Sequence, residues 1–152
     1  MDIKSLQFCL LAKQQIPLVN QFYKQVYKKG LANKNDQVFV LKATDIICAA
    51  RIKQVHGHHL LTGVACAQAH RKQGFASLLL NYLLSQQKGT IYCFPYPHLQ
   101  RFYEQQGFQL ITADLLPVAL REQYQRYNSR KPLLCMMIKS RLKSTIAPIE
   151  TE

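Results

Sequence analysis

The chain has 152 residues, enough for one hydrophobic core and too few for two independent ones. Hydrophobic residues make up 48% and charged residues 18%, a globular balance that excludes disorder, collagen and coiled coil. Twenty lysines and arginines against eight acids leave a net charge of +12, which favours encounter with polyanions, phosphorylated cofactors and nucleic acid alike.

Neither a secretory leader nor an apolar run near the length of a membrane span is present in the sequence, so a soluble, cytoplasmic protein with no membrane partner is expected. The five cysteines, Cys9, Cys48, Cys66, Cys93 and Cys135, form no CxxC pair and no even framework. Most of them read as small buried apolar side chains in a reducing compartment.

In chain order, residues Ile16 to Lys29 set Val19, Phe22, Tyr23, Val26 and Tyr27 at helical spacing, with Pro17 in the first turn and Gly30 as a stop. Gln37–Leu41, Ile46–Val55 and Leu60–Ala67 are short runs rich in Val, Ile and Leu, read as three strands of a meander. A turn at His70–Gly74 precedes a helix whose stripe of Phe75, Leu78, Leu79, Tyr82 and Leu83 is broad enough to pack on a sheet. Thr90–Phe94 reads as a buried strand, Leu99–Gln106 as a helix ending at Gly107, Phe108–Thr112 as a strand and Pro132–Lys139 as the final strand. The domain is expected over residues 1–143, with 144–152 a frayed tail.

The most informative segment is the apolar strand from Leu60 that runs into the basic turn Arg71-Lys72-Gln73-Gly74 and then into a helix at Phe75-Ala76. A helix start offers unpaired N–H groups with partial positive charge, and Gly74 allows a close approach of the backbone. Arg71 and Lys72 add full charges, so the turn is suited to phosphate. There is no Gly-Lys-Ser/Thr and no GxGxxG, so neither a P-loop nor a dinucleotide fingerprint is present.

Arg71-Lys72-Gln73-Gly74-Phe75-Ala76 is similar to the R/Q-x-x-G-x-G/A signature of the GNAT superfamily of acetyl-CoA-dependent N-acetyltransferases. Tyr103-Glu104-Gln105-Gln106-Gly107-Phe108 resembles the same family's Tyr-x-x-x-Gly-Phe block. The resemblance implies an α/β (α+β) fold: one domain with a mixed, mostly antiparallel sheet of about six or seven strands, helices on both faces, and strands 4 and 5 splayed apart. It further implies acetyl-CoA as cosubstrate and no metal. The backbone of Val64, Ala65 and Cys66 would pair with the pantetheine, and the N–H groups of Lys72, Gln73, Gly74, Phe75 and Ala76 would hold the pyrophosphate beside Arg71. Tyr103 falls where the family places the general acid that protonates the departing thiolate.

Two features depart from the family. Tyr92-Cys93-Phe94-Pro95-Tyr96-Pro97-His98 stands where many members carry a polar Asn, and Leu60–Ala67 holds no carboxylate to act as general base. A water chain, His70 or His98 is left for that role. Deprotonating a lysine-like amine at pH 7 costs about 4.6 kcal/mol and an α-amino group about 1.1 kcal/mol, which leans toward a low-pKa acceptor. Scarce acid also disfavours a polycationic acceptor, so a neutral or anionic amine is expected.

Other clusters have plainer readings. His56, His58 and His59 lack further metal ligands and read as an exposed hairpin. Cys93 reads as buried filler, not an acyl carrier. Residues Arg121 to Lys143 carry seven basic groups against Glu122, with Tyr124 and Tyr127 interleaved. A charged surface helix and strand edge is the favoured reading there. The alternative is an RNA- or tRNA-associated module of the same fold, with or without acetylation of aminoacyl-tRNA. A homodimer is left open.

Overall fold

The computed structural model describes residues 5–27 and 30–139. Strand β1 (Gln7–Leu10) is followed by helix α1 (Ile16–Val26) and strands β2 (Gln37–Lys42), β3 (Ile46–Val55) and β4 (His58–Cys66). Helix α2 (Phe75–Ser85), strand β5 (Thr90–Cys93), helix α3 (Gln100–Gln105), strand β6 (Gln109–Leu110), helix α4 (Val118–Asn128) and strand β7 (Met136–Lys139) follow in the described residues. The seven strands form one sheet in the order β1-β2-β3-β4-β5-β7-β6. Every neighbouring pair is antiparallel except β4 with β5, whose parallel pairing requires the crossover that α2 supplies. The expected α/β fold is the one observed.

Local chemistry explains the elements. His56 and Gly57, with φ of 48° and 82°, make the two-residue turn whose positive φ values match the right-handed twist of the β3–β4 hairpin. Gly107, with φ of 107°, closes α3: Phe108 N–H donates to Tyr103 O at 3.1 Å and Gly107 N–H to Glu104 O at 3.0 Å. Alternation along the strands sorts side chains to two faces. Phe39, Leu41, Ile52, Leu61, Ile91, Cys93 and Met136 pack with Leu79, Leu80 and Leu83 of α2 and with Tyr103 of α3. Val38, Val40 and Ala49 pack under α1, and Leu60 under Leu120 of α4.

Several boundaries differ from the sequence reading, for identifiable reasons. The helix from Ile16 ends at Val26, because Tyr27 is extended (φ −144°, ψ 94°). The strand expected over Phe108–Thr112 shrinks to Gln109–Leu110, since Phe108 N–H is spent closing α3 and Ala113–Leu115 coils into a 3-10 turn. Only Met136–Lys139 of Pro132–Lys139 joins the sheet, because Leu133 N–H donates to Asn128 Oδ1 and Leu134 N–H to Pro95 O. The charged helix anticipated after Arg121 starts at Val118. Strand β1 had no clear signal: four residues at the sheet edge, three of them exposed, carry little pattern. The tail proposed for 144–152 lies outside the described residues.

The cysteines need a correction. Cys48 and Cys66 are joined by a disulfide, while Cys9, Cys93 and Cys135 are free thiols. The pair is separated by 18 residues in sequence but faces directly across the β3–β4 ladder, with Cα atoms 4.2 Å apart. That juxtaposition follows from register, which cysteine spacing does not encode. Among the described residues, no helix is long and apolar enough to cross a membrane.

Candidate active site

Two features of β4 shape the region below it. Its ladder with β5 covers only His59–Leu61 against Ile91–Cys93, so β4 continues to Cys66 with β5 already ended. Its ladder with β3 shifts between Ala49 and Arg51, so Gly63 and Val64 stand opposite Ala50 as a β-bulge. Gly63 adopts φ of 66°, and Tyr23 of α1 donates its hydroxyl to Gly63 O at 2.7 Å.

A cavity of about 700 Å³ opens where the β4–β5 ladder stops. Leu61, Cys93, Leu99 and Tyr103 line it from the α2–α3 face, and Arg51, Lys53, Leu60 and Thr62 from the opposite face. Gln123 and Tyr127 of α4 close one side, with exposed Arg130 and Lys131 at the rim. Among the described residues, no histidine and no carboxylate lines it.

Tyr103 is 7% exposed and is held edge-on between Phe102 and Phe108 at ring centroid distances of 5.0 and 5.7 Å. Burial pushes its phenol far above the ordinary value of 10.0, with the nearby Cys93 adding to the shift. The hydroxyl keeps its proton throughout the neutral range. Burial likewise raises the Cys93 thiol well above 9.0, so it is protonated and a poor nucleophile, as the filler reading requires.

Arg51 lies on the cavity floor with its side chain 9% exposed. Its guanidinium sits 5.0 Å from the Tyr23 ring centroid, and Nε is 3.5 Å from Asp36 Oδ2. Burial lifts the Tyr23 phenol to about 12, an effect that the Arg51 charge opposes. Gly63 makes room for this arrangement, since any Cβ there would collide with Arg51 Nη1.

The basic turn lies beyond the far end of β4. A 3-10 turn at Gln68–His70 leads into Arg71, whose Nε donates to Cys66 O at 3.2 Å, and Gln73 Nε2 donates to Ala69 O at 3.2 Å. Lys72 and Gly74 are both left-handed, with φ of 63° and 84°. Among the described residues, the backbone N–H groups of Lys72 to Ala76 donate to no other group. A Cβ at Gly74 would meet nothing within 4 Å, so the start of α2 is open to the outside.

The expected residues thus fall into two groups. Val64 and Tyr103 line the cavity; Ala65 and Cys66 continue β4 toward the turn, and Arg71, Lys72, Gln73, Gly74, Phe75 and Ala76 form that turn and the first residues of α2. Neither candidate base reaches the cavity. His98 is exposed and stacks on Tyr96 at 5.9 Å, and His70 packs edge-on to Phe75 and borders a separate groove of about 750 Å³ beside α1. His56 is exposed at the β3–β4 turn, and His59 Nε2 is 3.1 Å from Gln54 Nε2. Sequence reasoning missed Arg51, Lys53, Gly63 and Tyr23. The first two stand out only as cations alternating along an otherwise apolar strand, and the others carry no sequence signal.

A family model for the acetyltransferase (GNAT) domain matches residues 34–110. The chain belongs to the GNAT acetyltransferases. Solved structures share its fold at low identity. N-acetylglutamate synthase from Neisseria gonorrhoeae, complexed with coenzyme A and N-acetyl-glutamate, has a TM-score of 0.68 and 14% identity over 89% of this chain. This GNAT chain spans only 35% of that synthase. The ribosomal-protein-S18-alanine N-acetyltransferase from Escherichia coli has a TM-score of 0.65 and 13% identity, covering 92% of this chain and 97% of its own. An acyl-CoA N-acyltransferase from Pseudomonas aeruginosa has a TM-score of 0.64 and 16% identity over 88% of this chain and 99% of its own. No curated protein matches the chain by sequence.

Proposed function

We propose that this GNAT protein is an N-acetyltransferase that moves an acetyl group from acetyl-CoA to a primary amine by direct transfer. The observation carrying this reading is the cavity at the end of the β4–β5 ladder, with residues from both sheet faces and the Tyr103 phenol in its wall. The residues fit the cosubstrate. The unpaired N–H groups of Lys72 to Ala76, the bare Cα of Gly74 and the charges of Arg71 and Lys72 suit a diphosphate. The open edge of β4 at Val64, Ala65 and Cys66 suits an amide-bearing arm, although Cys66 O already accepts from Arg71.

Acetyl-CoA, when bound, supplies an acyl group activated as a thioester. The chain contributes position and charge. A main-chain N–H on the free edge of β4 polarises the acyl carbonyl, and Tyr103 Oη shares its proton with the departing sulfur. With no carboxylate or histidine among the described residues that line the cavity, the acceptor arrives as a free amine or loses its proton to water. Lys53, Arg51, Arg130 and Lys131 favour this, because nearby positive charge lowers the pKa of an ammonium.

Calorimetry with acetyl-CoA is the direct test. Binding at micromolar concentrations, weakened by a β-branched residue at position 74, is expected. An absence of binding near millimolar cosubstrate overturns the proposal.

A further inference from the structure

The cavity offers more than space for an acyl group. Among the described residues, four cations, Arg51, Lys53, Arg130 and Lys131, line it, and the one carboxylate paired with any of them is Asp36, beside Arg51. Arg51 and Lys53 share the face of β3 turned toward the cavity, because their partners across the ladder, Thr62 and Leu60, also line it. Arg51 Nη1 is buried and has no hydrogen-bond partner, while Nε has only Asp36 Oδ2 at 3.5 Å beside it. A buried donor without a partner is costly, and a built floor that keeps one on a charged guanidinium is prepared for an acceptor from outside. Gly63 in its left-handed conformation and Gly30, where a Cβ would stand 3.3 Å from Nη2, leave room for the guanidinium to lie there.

We propose that the acceptor is a small amino carboxylate, an α-amino acid or a near relative, whose carboxylate is bound by Arg51 with Lys53 beside it. This rests on the acyl-transfer reading above. Asp36 already offsets the charge of Arg51, so the floor supplies directed N–H donors more than net charge, which suits a delocalised monoanion. Arg130 and Lys131 at the rim draw the anion inward and discourage cationic amines. A cavity of about 700 Å³ must take the acyl end of the cosubstrate and the acceptor together, which favours a small molecule.

The test compares three amines on one skeleton with saturating acetyl-CoA: an α-amino acid, its carboxamide, and an amine bearing a phosphomonoester. A fourth arm offers aminoacyl-tRNA. Acetylated product is measured by mass spectrometry, and acetyl-CoA affinity by calorimetry. The amino acid should exceed its carboxamide by at least ~10-fold in kcat/KM, and Arg51→Gln should erase ~10–100-fold of acceptor kcat/KM while acetyl-CoA affinity changes less than about threefold. Because Arg51→Gln strips Asp36 of its partner, the doubly neutral Arg51→Gln/Asp36→Asn and the partly exposed Lys53→Gln serve as folded controls. Both should weaken binding of the N-acetyl amino acid, measured without cosubstrate.

Equal use of the carboxamide, preference for the phosphomonoester, or acetylation of aminoacyl-tRNA alone overturns the proposal and leaves acyl transfer standing. Failure to bind acetyl-CoA removes both.

Discussion

Replacing Tyr103 by Phe removes one oxygen and little else. The ring stays between Phe102 and Phe108 and keeps its apolar contacts. The phenol has no hydrogen bond among the causes of its raised pKa, so the deletion leaves no partner unsatisfied and should change stability by less than about 1 kcal/mol. Its effect on turnover follows from the acidity mismatch. Full transfer from an ordinary phenol near ~10 to a thiolate near ~8.5 is uphill by about 2 kcal/mol, and burial of Tyr103 makes the donor weaker still. The hydroxyl therefore acts by hydrogen-bonding the sulfur as charge develops. A bond to a charged group contributes about 1.5–3 kcal/mol, which corresponds to a fall in kcat of roughly 10–150-fold. Acetyl-CoA affinity should move less than threefold. The assay is steady-state release of free thiol over pH 6–10 beside calorimetry on both proteins. An unchanged kcat, or a loss carried entirely by acetyl-CoA affinity, refutes the assignment.

Gly74→Val should act in the opposite sense. At φ of 84° a β-branched residue is strained by at least about 1–2 kcal/mol, and its side chain enters the open space over the free amides. Acetyl-CoA affinity should fall at least tenfold while kcat at saturation is retained; calorimetry and saturation kinetics separate the two. The Cys48–Cys66 disulfide closes an 18-residue separation, for which loop entropy gives about 3 kcal/mol. Cys48→Ala should lower the melting temperature by several degrees, and intact mass without reductant should lack two hydrogens relative to the reduced protein. Full thiol titration of the untreated protein refutes it. Stability should also fall on the alkaline side. Tyr23, Tyr103 and Cys93 all have folded pKa values above their unfolded ones, so their contribution is complete below the unfolded values and is lost as pH rises past them. Urea unfolding should give a plateau to about pH 8.5, then a decline that steepens above about pH 10, with each group adding at most about 1.4 kcal/mol per pH unit. A flat profile to pH 11 refutes this.

What the sequence disclosed follows the range of each signal. The α2 stripe, the β2–β3–β4 runs and the Tyr103–Phe108 block are local patterns, and each lies where periodicity and turn chemistry place it. The turn at Arg71–Gly74 was legible because charge, glycine and a strand-to-helix change coincide within a few residues. The Cys48–Cys66 bond and the sharing of one cavity by Arg51 and Tyr103 depend on register between distant segments. No windowed pattern contains that information. Strand β7 is an intermediate case: its apolar run was visible, but its position between β5 and β6 and its late start at Met136 come from Asn128 and Pro95 capturing the amides before it.

The basic surplus of the chain acquires a division of labour once the strands are in place. Arg71 and Lys72 stand at the start of α2, Arg51 and Lys53 on the cavity side of β3, and Arg130 and Lys131 after α4 at the rim. Arg126, by contrast, covers the Tyr127 ring at 5.6 Å and does not line the cavity. Within the cavity the cations and the missing base belong to one design. At an effective dielectric near 20, a single positive charge about 6 Å from an ammonium raises its energy by about 3 kcal/mol, roughly two pKa units. That shift exceeds the ~1.1 kcal/mol needed to free an α-amino group at neutral pH. A bound acceptor carboxylate offsets part of this field and leaves the surplus of Lys53, Arg130 and Lys131 acting on the amine. The same positive lining that selects an anionic acceptor therefore also supplies its nucleophilic form without a side chain to take the proton.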